Sequence, residues 1–256
     1  MNWFEAVILG IIQGITEFLP ISSSGHLVLA QHFMDIHETG IFLEVILHMG
    51  TLAAILIYFR YDLSSLIMHA VNGMQASRTY LIYLGVSTAP IACAGLYLDG
   101  FIESFFIPSV TICMLMITGF ILASTYFVQN RPIKKITLFM ALFIGIVQTF
   151  ALIPGISRSG ITISVALLIG MHHREAAKFS FFMAIPTLLG VGFIQIMKID
   201  NWQQITAFPL IMGFLSATIS GYLVIDWFLA VISRGKFHLF SLYCFTISII
   251  AYLSIN

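Results

Sequence analysis

Long apolar runs separated by short polar ones set the pattern of this chain. A helix needs about 20 apolar residues to cross a bilayer. Six stretches meet that length, at about 40–60, 79–98, 107–129, 179–197, 205–232 and 237–255. Two further apolar stretches are interrupted at their middle. Residues 3–34 break at Leu19-Pro20-Ile21-Ser22-Ser23-Ser24-Gly25, and residues 136–170 break at Ile153-Pro154-Gly155-Ile156-Ser157-Arg158-Ser159-Gly160. Proline removes a backbone donor and ends the helix before it. Polar, helix-breaking backbone at membrane depth is tolerated only where protein or a wet cavity surrounds it. Each interrupted stretch is therefore predicted to be a re-entrant hairpin that leaves by the face it entered. The expected fold is an all-α polytopic membrane protein: six transmembrane helices plus two re-entrant helical hairpins in one integral membrane domain, 1–256.

Composition supports this. Of 256 residues, 59% are hydrophobic and 9% charged, against about 25% charged in an ordinary soluble domain. A soluble fold of this size cannot cover that much apolar surface, so soluble, disordered and disulfide-scaffold classes are excluded. The net charge is zero, so no basic field points to a nucleic-acid partner. Cys93, Cys113 and Cys244 are isolated within apolar runs and are expected as small core residues, not disulfides or metal ligands. The first residues, Met1 to Glu5, lack the positive lead of a signal peptide, so the first apolar stretch is expected to stay in the mature protein.

The charges test the layout. With both hairpins returning to the face they left, one face collects Arg60, Arg78, Arg131, Lys134, Lys135, Arg174, Lys178, Arg234 and Lys236. The other face holds Lys198 with Asp35, Glu38, Asp99, Glu103 and Asp200. Positive residues mark the cytoplasmic side. Both termini are then expected on the outer face of the bacterial cytoplasmic membrane.

The two breaks resemble each other. Gly10 to Gly25 reads GIIQGITEFLPISSSG and Gly145 to Gly160 reads GIVQTFALIPGISRSG, identical at 7 of 16 positions. Three spans separate them, so the second copy enters from the opposite face. This predicts an inverted repeat, about 1–129 and about 135–256, of the kind in which broken helices meet near the midplane. Gly10 and Gly14 form a G-x-x-x-G, which by itself means close helix packing. Packing alone does not explain why both breaks are polar, Ser-rich and end in Gly.

Gln13 and Glu17 are four apart and share a helix face. An ionisable residue inside a membrane is costly and marks function by default. Ser22, Ser23 and Ser24 sit at the start of the returning helix, where hydroxyls cap and free amides, Gly25 included, face an anion. His26 lies within a turn of them. At the second break Ser157, Arg158, Ser159, Gly160 and Thr162 again crowd a helix start. Arg158 is the one basic residue this layout places deep in the membrane. Its planar fork suits a phosphate bidentately, and the plainer alternative is a structural ion pair with Glu17. Together these groups make a phosphate-binding inventory.

Gln13-x-x-x-Glu17 followed by LPISSSGH, and PGISRSGIT from Pro154 to Thr162, resemble the undecaprenyl-pyrophosphate phosphatase family, the bacitracin-resistance proteins. The resemblance covers nearly the whole chain, including LHMGTLAAILIYF from Leu47 to Phe59 and IPTLLG from Ile185 to Gly190. It implies hydrolysis of a C55 isoprenyl pyrophosphate with a divalent metal, Mg²⁺ or Ca²⁺, recycling the lipid carrier for cell-wall synthesis. It also implies essential roles for Glu17, Ser23, His26 and Arg158. Many members carry Glu where this chain has Gln13. An amide oxygen ligates such ions but adds no charge, so a metal held by Glu17 and Gln13 would lean on the substrate's own phosphates.

The favoured mechanism makes Ser23 the nucleophile and His26 its general base. His26 itself, or water, remain as rival nucleophiles. Glu44 and His48, four apart, could face the same cavity or simply pack. Asp226 is expected to pair with Arg234 or to be solvated. His172, His173, Arg174 and Glu175 read as a solvated inner turn. The competing function is an isoprenyl-phosphate transporter or flippase. The pattern of acid-phosphatase-like lipid phosphatases fails on spacing, since neither Arg131-Pro132 nor Ser157-Arg158 has its required partner. The pocket is expected to open to the outer face, and a homodimer is left open.

Overall fold

A computed structural model describes residues 2–36, 41–97, 104–128, 135–197 and 207–255. Among these the chain is helical, with no strand. The helices are α1 (Trp3–Phe18), α2 (Ser23–Phe33), α3 (Ile41–Tyr58), α4 (Arg60–Val71), α5 (Gln75–Tyr97), α6 (Pro108–Ser124), α7 (Leu138–Gln148), α8 (Arg158–Leu168), α9 (His173–Met197), α10 (Ala207–Ser233) and α11 (Phe240–Ile255).

Among the described residues five segments are long and apolar enough to cross a membrane: Gln75–Tyr97, Pro108–Val128, His173–Gln195, Ala207–Ser233 and Phe237–Ile255. A sixth arises if α3 and α4 count together, though they are bent by 71° at Phe59. The chain is a multi-pass membrane protein. α4 was not anticipated from the sequence. Its Tyr61, Ile67, Met68 and Val71 are exposed at i, i+6, i+7 and i+10, one face of the helix, on a segment too polar to read as a span. His173, Arg174 and Glu175 lie in the first turn of α9, not in a loop.

Both interrupted stretches form helix–break–helix units. α1 carries a capping box, in which Asn2 accepts from the Glu5 amide and Glu5 accepts from the Asn2 amide. It stops at Leu19, which is extended ahead of Pro20. α2 restarts at Ser23, capped by the Ser22 hydroxyl. α7 runs through a 3₁₀ turn, Thr149–Leu152, into the second break, and α8 restarts at Arg158 under a Ser157 cap. α1 packs along α10, and its two glycines bring the backbones together. A Cβ at Gly10 would lie 2.4 Å from the Gly213 carbonyl oxygen, and one at Gly14 would lie 2.5 Å from that of Ala217.

Several charges gather at one end of the bundle. Lys178 bonds Asp62, and Gln75, Lys135, His172 and Glu175 line one cavity. Asp226 accepts from the Tyr58 hydroxyl at 2.8 Å, not from Arg234. Arg131, Lys134, Lys198, Glu38, Asp99, Glu103 and Asp200 lie outside the described residues. Cys244 is buried, but Cys93 and Cys113 are exposed on α5 and α6 and so are not core residues. None forms a disulfide.

Candidate active site

The two breaks touch. The Ser159 hydroxyl donates to the Leu19 carbonyl oxygen at 3.0 Å. A Cβ on Gly25 would sit 3.1 Å from the Gly155 Cα, and one on Gly160 would sit 3.2 Å from the Pro20 oxygen. A side chain at Gly25 or Gly160 would crowd the facing break, and Gly155 needs glycine for its φ of +99°. Ser22 holds a φ of 69° without being glycine. Such backbone strain persists where the surroundings over-determine it, and it clusters at functional sites.

Glu17 is the hub of the cluster. It comes from the last turn of α1 and is 6% exposed. Its Oε2 accepts from the Ser23 hydroxyl at 2.6 Å and from the Gln13 amide at 3.1 Å. Its Oε1 accepts from Arg158 Nη2 at 2.7 Å. Arg158 Nη1 donates to the Ser180 carbonyl oxygen of α9 at 3.1 Å. One buried carboxylate therefore joins a hydroxyl from the first break to a guanidinium from the second. An unpaired charge at this depth would be costly, and each charge here has its counter-charge and hydrogen bonds.

The other predicted residues fall into two groups. Ser157, Ser159 and Thr162 are buried, with their hydroxyls engaged inside the protein. Ser157 caps the Gly160 amide, Ser159 bonds Leu19, and Thr162 meets the Ser180 hydroxyl at 2.7 Å. Thr118 of α6 ties down the second break, donating to the Gly155 carbonyl oxygen at 2.8 Å and accepting from the Ser157 amide at 3.1 Å. Ser22 caps the Gly25 amide at 3.2 Å. Ser23, Ser24 and His26 are only partly buried and form the more open side of the cluster.

His26 does not bond Ser23. Its Nδ1 lies 2.7 Å from the Ser22 carbonyl oxygen, which makes that nitrogen the donor in the neutral ring. Its Nε2 is left to accept from the Tyr243 hydroxyl at 2.8 Å, and the two rings stack. Tyr243, on α11, was missed in the sequence because nothing links positions 217 residues apart. His48 belongs to the cluster: its Nδ1 is held by the Glu44 carbonyl oxygen at 2.7 Å and its Nε2 is 3.9 Å from Glu17 Oε2. The i, i+4 spacing with Glu44 was its signal, but Glu44 instead accepts from Gln31 at 3.3 Å.

Among the described residues no three His, Cys, Asp or Glu side chains gather as a metal cage. Gln13 Oε1 is nonetheless buried beside Glu17 with no hydrogen-bond partner. A buried carbonyl oxygen and a carboxylate are the hard donors that Mg²⁺ and Ca²⁺ take. The residues present fit a divalent ion that obtains its remaining ligands from elsewhere.

Relatives share the whole chain. A Methanobrevibacter smithii protein named undecaprenyl-diphosphatase is 34% identical over 271 residues, covering 99% of this chain and 98% of its own. Proteins of the same name from Carboxydothermus hydrogenoformans and Korarchaeum cryptofilum are each 37% identical. The first covers 97% of this chain and 96% of its own length, the second 97% and 98%. The profile of the family described as bacitracin resistance protein BacA matches residues 6–250. With the paired breaks in place and the match running almost end to end, this chain belongs to the bacitracin resistance protein BacA family.

Proposed function

We propose that this protein hydrolyses undecaprenyl pyrophosphate to undecaprenyl phosphate and inorganic phosphate. The observation that carries the reading is the single carboxylate, Glu17, bonded at once to Ser23 and Arg158 from the two breaks. In this mechanism Ser23 Oγ attacks the terminal phosphorus. Glu17 Oε2 takes the hydroxyl proton as the Oγ–P bond forms and the bridging P–O bond breaks, and the lipid phosphate leaves with that electron pair. Water then attacks the phosphoserine phosphorus, the P–Oγ bond breaks, and Glu17 returns its proton to Ser23 Oγ as inorganic phosphate leaves. The water's proton passes to the Tyr243 hydroxyl oxygen as that hydroxyl hands its own proton to His26 Nε2. Arg158 would hold the phosphates and offset charge developing on their oxygens. Glu17 and the Gln13 amide oxygen would hold a Mg²⁺ or Ca²⁺, which when bound supplies Lewis-acid stabilisation.

In the finer topology proposed with it, the two helix–break–helix units are re-entrant hairpins of an inverted repeat among six spans. The 7 identities in 16 support this, as does the gathering of Lys135, Arg174 and Lys178 toward one end. That end would be cytoplasmic, with both termini outside and the protein in the cytoplasmic membrane. A transporter for an isoprenyl phosphate is not favoured, because Glu17 and Ser23 form a nucleophile–acceptor pair that carriage does not need. The test is phosphate release by purified protein in detergent from undecaprenyl pyrophosphate, with and without chelator. No release under any metal condition refutes the enzymatic reading.

A further inference from the structure

His48 stands in the cluster, and the proposed reaction gives it no task. It comes from α3, not from either break, and its side chain is 21% exposed. Its Nδ1 lies 2.7 Å from the Glu44 carbonyl oxygen, so in the neutral ring that nitrogen carries the proton. Nε2 then keeps its lone pair, 3.9 Å from Glu17 Oε2. That gap is too long for a hydrogen bond. It is short enough for both atoms to bind one divalent ion, each about 2.0–2.2 Å from it. An imidazole with one nitrogen pinned by a backbone carbonyl and the other left free is set up as a metal ligand. A second observation meets the first. Gln13 is fully buried and gives its amide nitrogen to the same Glu17 Oε2, while its Oε1 has no hydrogen-bond partner. A buried carbonyl oxygen in that state calls for a water or an ion.

The three donors come from two helices clamped to a third. A Cβ at Gly14 of α1 would lie 2.5 Å from the Ala217 carbonyl oxygen of α10. One at Gly50 of α3 would lie 2.6 Å from the Phe214 carbonyl oxygen and 2.9 Å from the Ala217 Cβ. The Thr218 hydroxyl of α10 also donates to the Gly50 carbonyl oxygen at 3.0 Å. Through these backbone contacts α10 sets how far His48 stands from Gln13 and Glu17 before any ligand arrives. Donors already in place do not have to be ordered on binding. The donor types then bias the choice of ion. Ca²⁺ takes about six to eight oxygens, and Mg²⁺ also holds to oxygen. An imidazole nitrogen suits first-row transition ions, and among these Mn²⁺ also accepts carboxylate and carbonyl oxygens.

We infer that His48 Nε2 is a ligand of the divalent ion held by Glu17 and Gln13, and that it turns the site toward Mn²⁺ over Ca²⁺. This rests on the proposed metal-assisted hydrolysis and adds to it a ligand from outside both breaks. The test is pulsed EPR of Mn²⁺ on the purified protein, with a non-hydrolysable farnesyl methylenediphosphonate present. Coupling to an imidazole nitrogen is expected in unmodified protein. It should vanish in His48→Gln and persist in His26→Gln, because His26 Nε2 is taken by the Tyr243 hydroxyl. His48→Gln keeps an oxygen donor and loses the nitrogen, so calorimetry should show the preference for Mn²⁺ over Ca²⁺ falling at least about tenfold. A histidine that only packs, or only forms an ion pair with Glu17, gives no nitrogen coupling to lose. No coupling in unmodified protein, or coupling that survives in His48→Gln, overturns the inference. Should His48→Gln not fold, anomalous scattering from Mn²⁺-soaked crystals of unmodified protein locates the ion. A peak bonded to His48 Nε2 supports the assignment, and a peak elsewhere overturns it. Phosphate release by unmodified protein separates the two readings. Release without nitrogen coupling overturns the ligand alone, whereas coupling lost in His48→Gln without release under any metal condition refutes the hydrolysis and leaves the ligand standing.

Discussion

The Glu17–Arg158 pair joins two segments 141 residues apart, and a double-mutant cycle tests that link. Glu17 is 6% exposed and the Arg158 side chain 12%, so solvent screens little of the pair. Glu17→Met leaves the guanidinium buried with only the Ser180 carbonyl, and Arg158→Met leaves the carboxylate with only neutral donors. Removing one partner of a buried pair costs about 3–5 kcal/mol, most of it from the charge left behind. At about 2–4 °C per kcal/mol for a chain of this size, a loss of about 3 kcal/mol lowers the apparent melting temperature by about 6–12 °C. The double variant strands no charge, only the neutral groups of Ser23, Gln13 and Ser180. Its loss should fall short of the sum of the singles by about 2–3 kcal/mol, or about 4–12 °C. Intrinsic fluorescence melts in one detergent measure all four proteins. Strict additivity would refute the claim that these charges meet, whatever happens to activity.

Three further outcomes are expected. Arg158→Lys replaces the fork with a single ammonium and forfeits a charged hydrogen bond of about 1.5–3 kcal/mol, so kcat/KM should fall about 10- to 150-fold; near-normal turnover would remove the two-point role. Tyr243→Phe leaves His26 Nε2 without its donor and should slow breakdown of a phosphoserine more than its formation, seen as a larger burst of released lipid phosphate before steady state; an unchanged burst argues against His26 in the second step. Gln13→Glu adds a charge beside Glu17 and should tighten Mg²⁺ or Ca²⁺ binding at least tenfold without substrate, read by calorimetry, whereas equal binding would place the ion elsewhere.

Much of this site was legible because membrane depth leaves few reasons for a polar residue. Glu17, Ser23, His26 and Arg158 stood out against an apolar background, and the structure brings Glu17, Ser23 and Arg158 into one network with His26 in the next turn. Residues whose role depends on tertiary approach were not legible. Tyr243 reads as one more aromatic in an apolar helix until α11 is set beside α2. Thr118 and Ser180 act through a hydroxyl or a backbone carbonyl that sequence does not mark. The serines of the second break were legible as a helix start but not as groups engaged within the protein. α4 escaped notice for a related reason, since a short helix bent 71° from its predecessor carries too few apolar residues to look like a span.

The difference in sequence between the two breaks follows from electrostatics. In the gapless alignment Ser23 corresponds to Arg158 and Glu17 to Leu152. A second carboxylate at position 152 would stand against Ile91, Val191 and Ile194 with no counter-charge, where it would be forced to bind a proton. Had both kept the arginine, two guanidiniums would share one anion and repel without it. With Glu17 and Ser23 at one break and the cation at the other, each charge is compensated before substrate arrives, and in the proposed reaction a pyrophosphate can draw Arg158 from Glu17 without stranding a buried cation. On this argument, Leu152→Glu in otherwise unmodified protein should destabilise, because no basic side chain is among the residues of α5 and α9 that line the recess beside position 152. Leu152→Glu should therefore lower the melting temperature at neutral pH and regain part of the loss at pH 5, where a carboxylate without a counter-charge is more readily protonated. Equal melting temperatures for the variant and its parent at both values would count against the asymmetry having an electrostatic origin.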